Sequence, residues 1–187
     1  MRKNKREDIV AAAIRLAAQK GMNATVRQIA EAAGVTEGAL YRHFASKEDL
    51  CCQAYCQIVE EMAGAKEEII ASRQPMRDKL YEWVRVSYDY FDLYPHAFIY
   101  VLLTSHDFPQ DQQEITRRQG RLLMQMVGPM AEKLHPDPMT PVEAMSHFTG
   151  VMLNVPRLIY ENSLPGPAAH YTDRVVKVIW RIFQLDK

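Results

Sequence analysis

No stretch of this chain is apolar enough to cross a bilayer. The longest uninterrupted run, about seven residues around Phe98–Leu103, falls far short of the ~20 that a span requires. The N-terminus is basic at Arg2, Lys3, Lys5 and Arg6, but Glu7 and Asp8 follow and the apolar core of a secretory signal is missing, so a cytoplasmic protein is expected. Cysteine is scarce: Cys51, Cys52 and Cys56 are an odd set of three, which does not suggest a disulfide framework. There is no glycine-rich phosphate loop, no nucleophile setting and no His-x-x-His spacing. No catalytic residue, metal site or cofactor is therefore expected. Sustained period-two alternation is also missing, which argues against a sheet. Net charge is absent too, 23 Lys and Arg against 23 Asp and Glu, but the balance is uneven. Residues 1–50 hold nine basic and six acidic residues, an excess of +3 that the remainder cancels. A basic head on an acidic body concentrates attraction for phosphate at one end.

What is there is helical periodicity in a composition, 48% hydrophobic and 25% charged, that excludes disorder. The first helix is expected over residues 5–20, with Ile9, Ala13, Leu16 and Ala17 on one face and Gly21 at its end. Thr25-Val26-Arg27-Gln28 has the form of a capping box opening a short helix to Ala33. Gly34 permits a tight turn, and Thr36 is the N-cap of a second short helix through Phe44. A long helix, residues 47–72, turns Leu50, Ala54, Ile58, Met62 and Ile69 inward. Further helices are expected over residues 76–93 and 95–105, from Pro109 to Leu134 with a kink or break at Pro129, over 141–162 with Pro156 kinking it, and over 168–185. Residues 135–138 read as a loop, Thr140–Glu143 as a second capping box and residues 164–167 as a turn. The expected fold is all-α, about nine helices, with a three-helix head at residues 1–47 and a larger helical bundle at residues 48–187.

Two short helices around a glycine turn make a helix-turn-helix. Ala30 and Ala33 are small enough for the crossing, and Ile29, Val35, Leu40 and Phe44 supply a small core. The second helix then presents Glu37, Gly38, Ala39 and Arg42 to the major groove, with Thr36 at its start. Thr25, Arg27, Tyr41, His43 and Lys47 are placed to grip phosphates.

The stretch from Arg6 to Ala13, then Gly21, then Thr25 to Leu50, resembles the N-terminal domain of TetR-family regulators over about 50 of 187 residues. The resemblance implies an all-α homodimer that binds a palindromic operator and a C-terminal body that binds a small ligand and changes the spacing of the heads. It implies phosphate contacts from Tyr41 and Lys47, a helix-start role for Thr25 and base reading by Glu37, Gly38, Ala39 and Arg42. Arg42 remains open between a base edge, where it would favour guanine, and a phosphate. The C-terminal two-thirds carry no comparable signature, so the ligand does not transfer.

In that body, eight of 17 aromatic residues fall between Tyr81 and Tyr100, beside methionine-rich helices. A largely apolar pocket is expected, with walls from Trp83, Tyr88, Phe91, Phe98, Met126, Met130, Phe148 and Met152 and polar anchors among His96, His106 and His147. Plain core packing uses the same residues. A homodimer interface is expected on Phe148, Val151, Met152, Val155 and Ile159 and on Tyr171, Val175, Val178, Trp180 and Phe183. Cys52 and Cys56 share a helix face beside Cys51, where thiols fill a seam or, alternatively, hold a soft metal or sense oxidation. The resulting expectation is a ligand-responsive DNA-binding regulator, a repressor released from its operator by a small apolar molecule, and not an enzyme. An architectural DNA-binding protein and an all-α enzyme with an incidental helix-turn-helix are the alternatives.

Overall fold

A computed structural model of the chain describes residues 4–21, 23–104, 113–134 and 139–185. Among them are nine α-helices: α1 (Lys5–Lys20), α2 (Val26–Ala32), α3 (Glu37–Tyr41), α4 (Lys47–Ala71), α5 (Met76–Leu93), α6 (Pro95–Thr104), α7 (Gln113–Ala131), α8 (Pro141–Tyr160) and α9 (Thr172–Ile182). No strand occurs among the described residues. None of these helices is long and apolar enough to cross a membrane. His106, Pro109 and the expected loop at 135–138 lie outside the described residues.

The chain divides into two compact units. The first comprises residues 1–60 and 96–115, the second residues 61–95 and 116–187. α4 contributes its N-terminal half to the first unit and its remainder to the second.

In the first unit α1 packs on α2 and α2 on α3. Ile9, Ala13, Leu16 and Ala17 are buried as their spacing requires, together with Ile29, Ala30, Leu40, Phe44 and Leu50. Ala33 and Val35 are only half-buried, because they lie in the turn itself. The Tyr100 hydroxyl of α6 donates to the Cys51 carbonyl of α4 over 2.8 Å, fixing these two helices within the unit.

In the second unit α5 packs on α9 and on a 3-10 turn, Ala168–Tyr171, and α8 packs on α9. The core holds Leu80, Trp83, Val84, Tyr88, Met126, Phe148, Ile179 and Phe183. An Arg118–Glu67 ion pair at 2.6 Å links α7 to α4.

Three expected boundaries are corrected. The last helix is not continuous from Ala168: a 3-10 turn precedes α9, held by the Asp92 carboxylate, which accepts from the amides of Ala168 (2.7 Å) and Ala169 (3.0 Å). α9 then stops at Ile182 because Gln184 turns left-handed, φ 49°, and Leu185 N–H returns to the Trp180 carbonyl. α8 stops at Tyr160 in the same way, with Asn162 at φ 58° and Ser163 N–H bonded to the Leu158 carbonyl. Neither internal proline breaks its helix. α8 runs past Pro156, which is buried beside Met152, and α7 passes Pro129 to end two residues later.

Candidate nucleic-acid interface

The helix-turn-helix is built from three local devices. Thr25 Oγ1 accepts from Gln28 N–H (3.3 Å) while the Gln28 side chain accepts from Thr25 N–H (2.9 Å), a reciprocal box that fixes where α2 begins. Gly34 ends α2 at φ +66°, so that its own N–H reaches the Glu31 carbonyl and Val35 N–H reaches the Ala30 carbonyl. These paired bonds need a left-handed residue at position 34, where glycine is unstrained. Thr36 then restarts the chain as α3, its Oγ1 accepting from Ala39 N–H over 3.2 Å.

α3 is one turn shorter than its sequence pattern suggests. It ends at Tyr41, and the amides of His43 and Phe44 both converge on the Leu40 carbonyl. Arg42 and His43 therefore sit in the closing turn rather than on the helix. That tightening lets Phe44 fold back into the core, where it is 1% exposed.

The face opposite this core is open and polar. Thr25, Arg27, Thr36, Glu37, Gly38, Tyr41, Arg42 and His43 are exposed, while Ala39 and Lys47 are half-buried. Tyr41 is 51% exposed, so it is not a core tyrosine. The structure thus brings all ten expected DNA-contacting residues into the first unit.

Sequence reasoning missed the residues that brace this surface. Arg6 of α1 lies over the Phe44 ring, 5.2 Å from its centroid, and hydrogen-bonds the Gln53 side chain. Gln53 donates to Asp49 (2.8 Å), whose other oxygen accepts from Ala45 N–H (2.9 Å). Ser46 Oγ caps α4 by accepting from Asp49 N–H at 3.1 Å. The chain Arg6–Gln53–Asp49–Ala45 pins the exit from α3 to both α1 and α4.

Cys51 and Cys52 are buried and Cys56 half-buried. Cys52 and Cys56 stand 3.8 Å apart at sulfur. Burial pushes the Cys51 and Cys56 thiols above their ordinary pKa, which disfavours the reactive thiolate.

The eight expected pocket residues are all buried. Phe98 belongs to the first unit and the other seven to the second. Several pack directly on one another: Trp83 meets Phe148 edge-on with centroids 6.5 Å apart, and the Tyr88 hydroxyl donates to the Met152 carbonyl over 2.9 Å. Burial raises the Tyr88 pKa well beyond its ordinary value. A cavity of about 60 Å³ in this unit is lined instead by Glu61, Met62, Ala65, Lys66, Val86, Ser87 and Tyr90. Among the expected interface residues, Phe148, Met152, Val175 and Phe183 are buried within the chain's own core. Val151, Val155, Ile159, Tyr171 and Trp180 are half-buried and Val178 is exposed.

Residues 9–52 match the family model described as bacterial regulatory proteins, tetR family. The HTH-type transcriptional repressor KstR2 of Rhodococcus jostii is 37% identical over 89 residues, covering 47% of this chain and 44% of that protein. The chain spans less than half the length of the curated relatives it matches, between 38% and 44%. At the level of fold the likeness extends further. The fatty acid degradation regulator FadR of Bacillus halodurans superposes with a TM-score of 0.75 at 19% identity, covering 96% of each chain. The FadR of Bacillus subtilis in complex with stearoyl-CoA gives 0.73 at 17% identity, covering 92% of this chain and 96% of that one. The tetR-type segment thus coincides with the capped helix-turn-helix, and the likeness of fold extends across nearly the whole chain.

Proposed function

We propose that the protein is a DNA-binding transcriptional repressor, acting as a homodimer on a palindromic operator and released by a small, largely apolar ligand. The observation that carries the DNA-binding half is the exposed row Thr25, Arg27, Tyr41, Arg42 and His43 on a braced, doubly capped helix-turn-helix. A hydroxyl, a phenol and cations on one rigid surface suit phosphate oxygens, and Glu37, Gly38 and Ala39 leave room for base edges. The dimer is supported by the need for a second head, since one short helix contacts too little DNA for useful specificity. Apolar residues remain at the surface to build it, notably Val178, 40% exposed on α9.

The ligand half draws on relatives. A regulator named for ketosteroids and a regulator holding stearoyl-CoA share this fold, and a steroid skeleton and a stearoyl chain are both apolar. A ligand acts only through its preference for one arrangement of the protein over another. The test is a selected operator duplex titrated with the full chain by fluorescence anisotropy, then with candidate ligands. Two protomers per duplex and ligand-dependent release support the reading. Tight binding by a monomer, or no release by any apolar ligand, overturns the dimeric or the sensing part respectively.

A further inference from the structure

The second unit buries a lysine without an ionic partner. Lys66 is 6% exposed in the middle of α4. Its ammonium lies over the Trp83 ring, 5.0 Å from the centroid, and no carboxylate among the described residues pairs with it. The same ring carries a second unsatisfied group, because Trp83 Nε1–H is buried with no hydrogen-bond acceptor. Leaving such donors unpaired away from water is costly, and native proteins rarely do so without a reason. Here a cavity adjoins the lysine. Lys66 and Ser87 are its buried walls, Glu61 and Ala65 its exposed ones, and Met62 and Val86 add apolar surface.

We infer that this cavity seats the carboxylate of a ligand whose remaining body is apolar, with Lys66 as the counter-ion. The inference rests on the ligand-responsive reading above and names the chemical class of the effector. The size fits the head of a ligand rather than the whole of it: about 60 Å³ holds a few water molecules or one carboxylate. One buried ammonium balances a monoanion; a phosphate dianion would want a second cation or an arginine fork, and no such group lines the cavity. The Ser87 hydroxyl donates to the Trp83 carbonyl over 2.8 Å and so is already spent as a donor. Glu61 also lines the space, but it is exposed and takes a hydrogen bond from Tyr90 at 3.2 Å. Its charge is screened by water, whereas that of Lys66 is not. Burial alone depresses the Lys66 pKa to about 8, which leaves it charged near neutrality and ready to gain an anion.

The experiment is calorimetric titration of the full chain at pH 7 with octanoate, 1-octanol and octyl phosphate, with operator release measured on the same samples. Octanoate should bind at least tenfold more tightly than 1-octanol and than octyl phosphate. Lys66→Met should erase the preference over 1-octanol, and Lys66→Arg should retain it. With wild type alone, the preference should shrink at pH 9.5, where Lys66 is neutral, so the test survives a variant that fails to fold. No octanoate binding at millimolar concentration, equal binding of octanoate and 1-octanol, tighter octyl phosphate, or a preference that survives Lys66→Met each overturns the assignment. If octanoate binds through Lys66 but the operator is not released, the site stands and the sensing reading fails. If 1-octanol alone releases the operator, the sensing reading stands and this site fails.

Discussion

Lys66 also makes a sharp prediction about stability. Holding its pKa at about 8 rather than 10.5 means that the folded state resists charging this amine. At about 1.4 kcal/mol per pH unit, that difference amounts to about 3 kcal/mol of stability withheld below pH 8. The unfolded chain binds the extra proton between pH 8 and 10.5, so this contribution to stability rises with pH across that window. Lys66→Met keeps an unbranched apolar stem over Trp83 and removes the charge. It should stabilise the protein by about 3 kcal/mol at pH 7 and by only about 1 kcal/mol at pH 9.5. The assay is urea denaturation of both proteins at the two pH values, with and without reducing agent. Taking the difference between variant and wild type is essential, because other groups move the opposite way. The raised pKa values of Cys51, Cys56, Tyr88 and Tyr100 give stability that is lost as pH climbs past about 9 to 10. Those losses are common to both proteins and cancel. A variant less stable than wild type at pH 7, or a difference that does not change with pH, would refute the reasoning.

Further outcomes are expected for five single variants. Thr25→Ala removes the hydroxyl that accepts from Gln28 N–H, the side-chain arm of the α2 capping box, and should cost about 1 kcal/mol in thermal or urea unfolding. Gly34→Ala forces a β-carbon into φ +66° although space is free around it, so it should cost about 1 kcal/mol from backbone strain alone; an unchanged melting point would contradict this. Asp92→Ala leaves the amides of Ala168 and Ala169 without their acceptor and should cost about 1–3 kcal/mol, with hydrogen exchange at those two amides rising first. In operator binding, Lys47→Ala should weaken all sequences alike and flatten the salt dependence, from a log–log slope on the order of −5 to −10 in wild type. Arg42→Ala should instead relax one base position per half-site, by about 1–3 kcal/mol; if both variants act alike, Arg42 is a phosphate ligand.

The head was legible because its signals are local. A threonine with glutamine three residues on, a glycine at a forced left-handed turn and a second threonine each act within a few residues, and the structure shows all three. Helix ends set by distant groups were not. Nothing near Ala168 announces that Asp92, in another helix, will hold its amide, and Gln184 is no usual left-handed residue. α3 was overextended because Phe44 keeps helical spacing from Leu40 while the backbone between them has already left the helix. Of the aromatic cluster at 81–100, Trp83, Tyr88, Phe91 and Phe98 lie inside as expected while Tyr81 and Tyr94 are exposed; burial by itself does not separate a pocket wall from core packing, and Trp83 meets Phe148 as Tyr88 meets Met152. Lys66 left a signal that periodicity could have used: it stands four residues after Met62 and three before Ile69, on the inward stripe of α4.

The central claim, sequence-specific DNA recognition by the surface around α3, is tested most directly by selection from a random duplex library with the full chain, followed by anisotropy on the enriched sequence. The account predicts a two-fold symmetric motif bound on the order of a thousandfold more tightly than random duplex. Tyr41→Ala and Arg42→Ala should weaken that binding while circular dichroism shows the fold unchanged. No enriched motif, or an enriched motif whose binding ignores both substitutions, would contradict it.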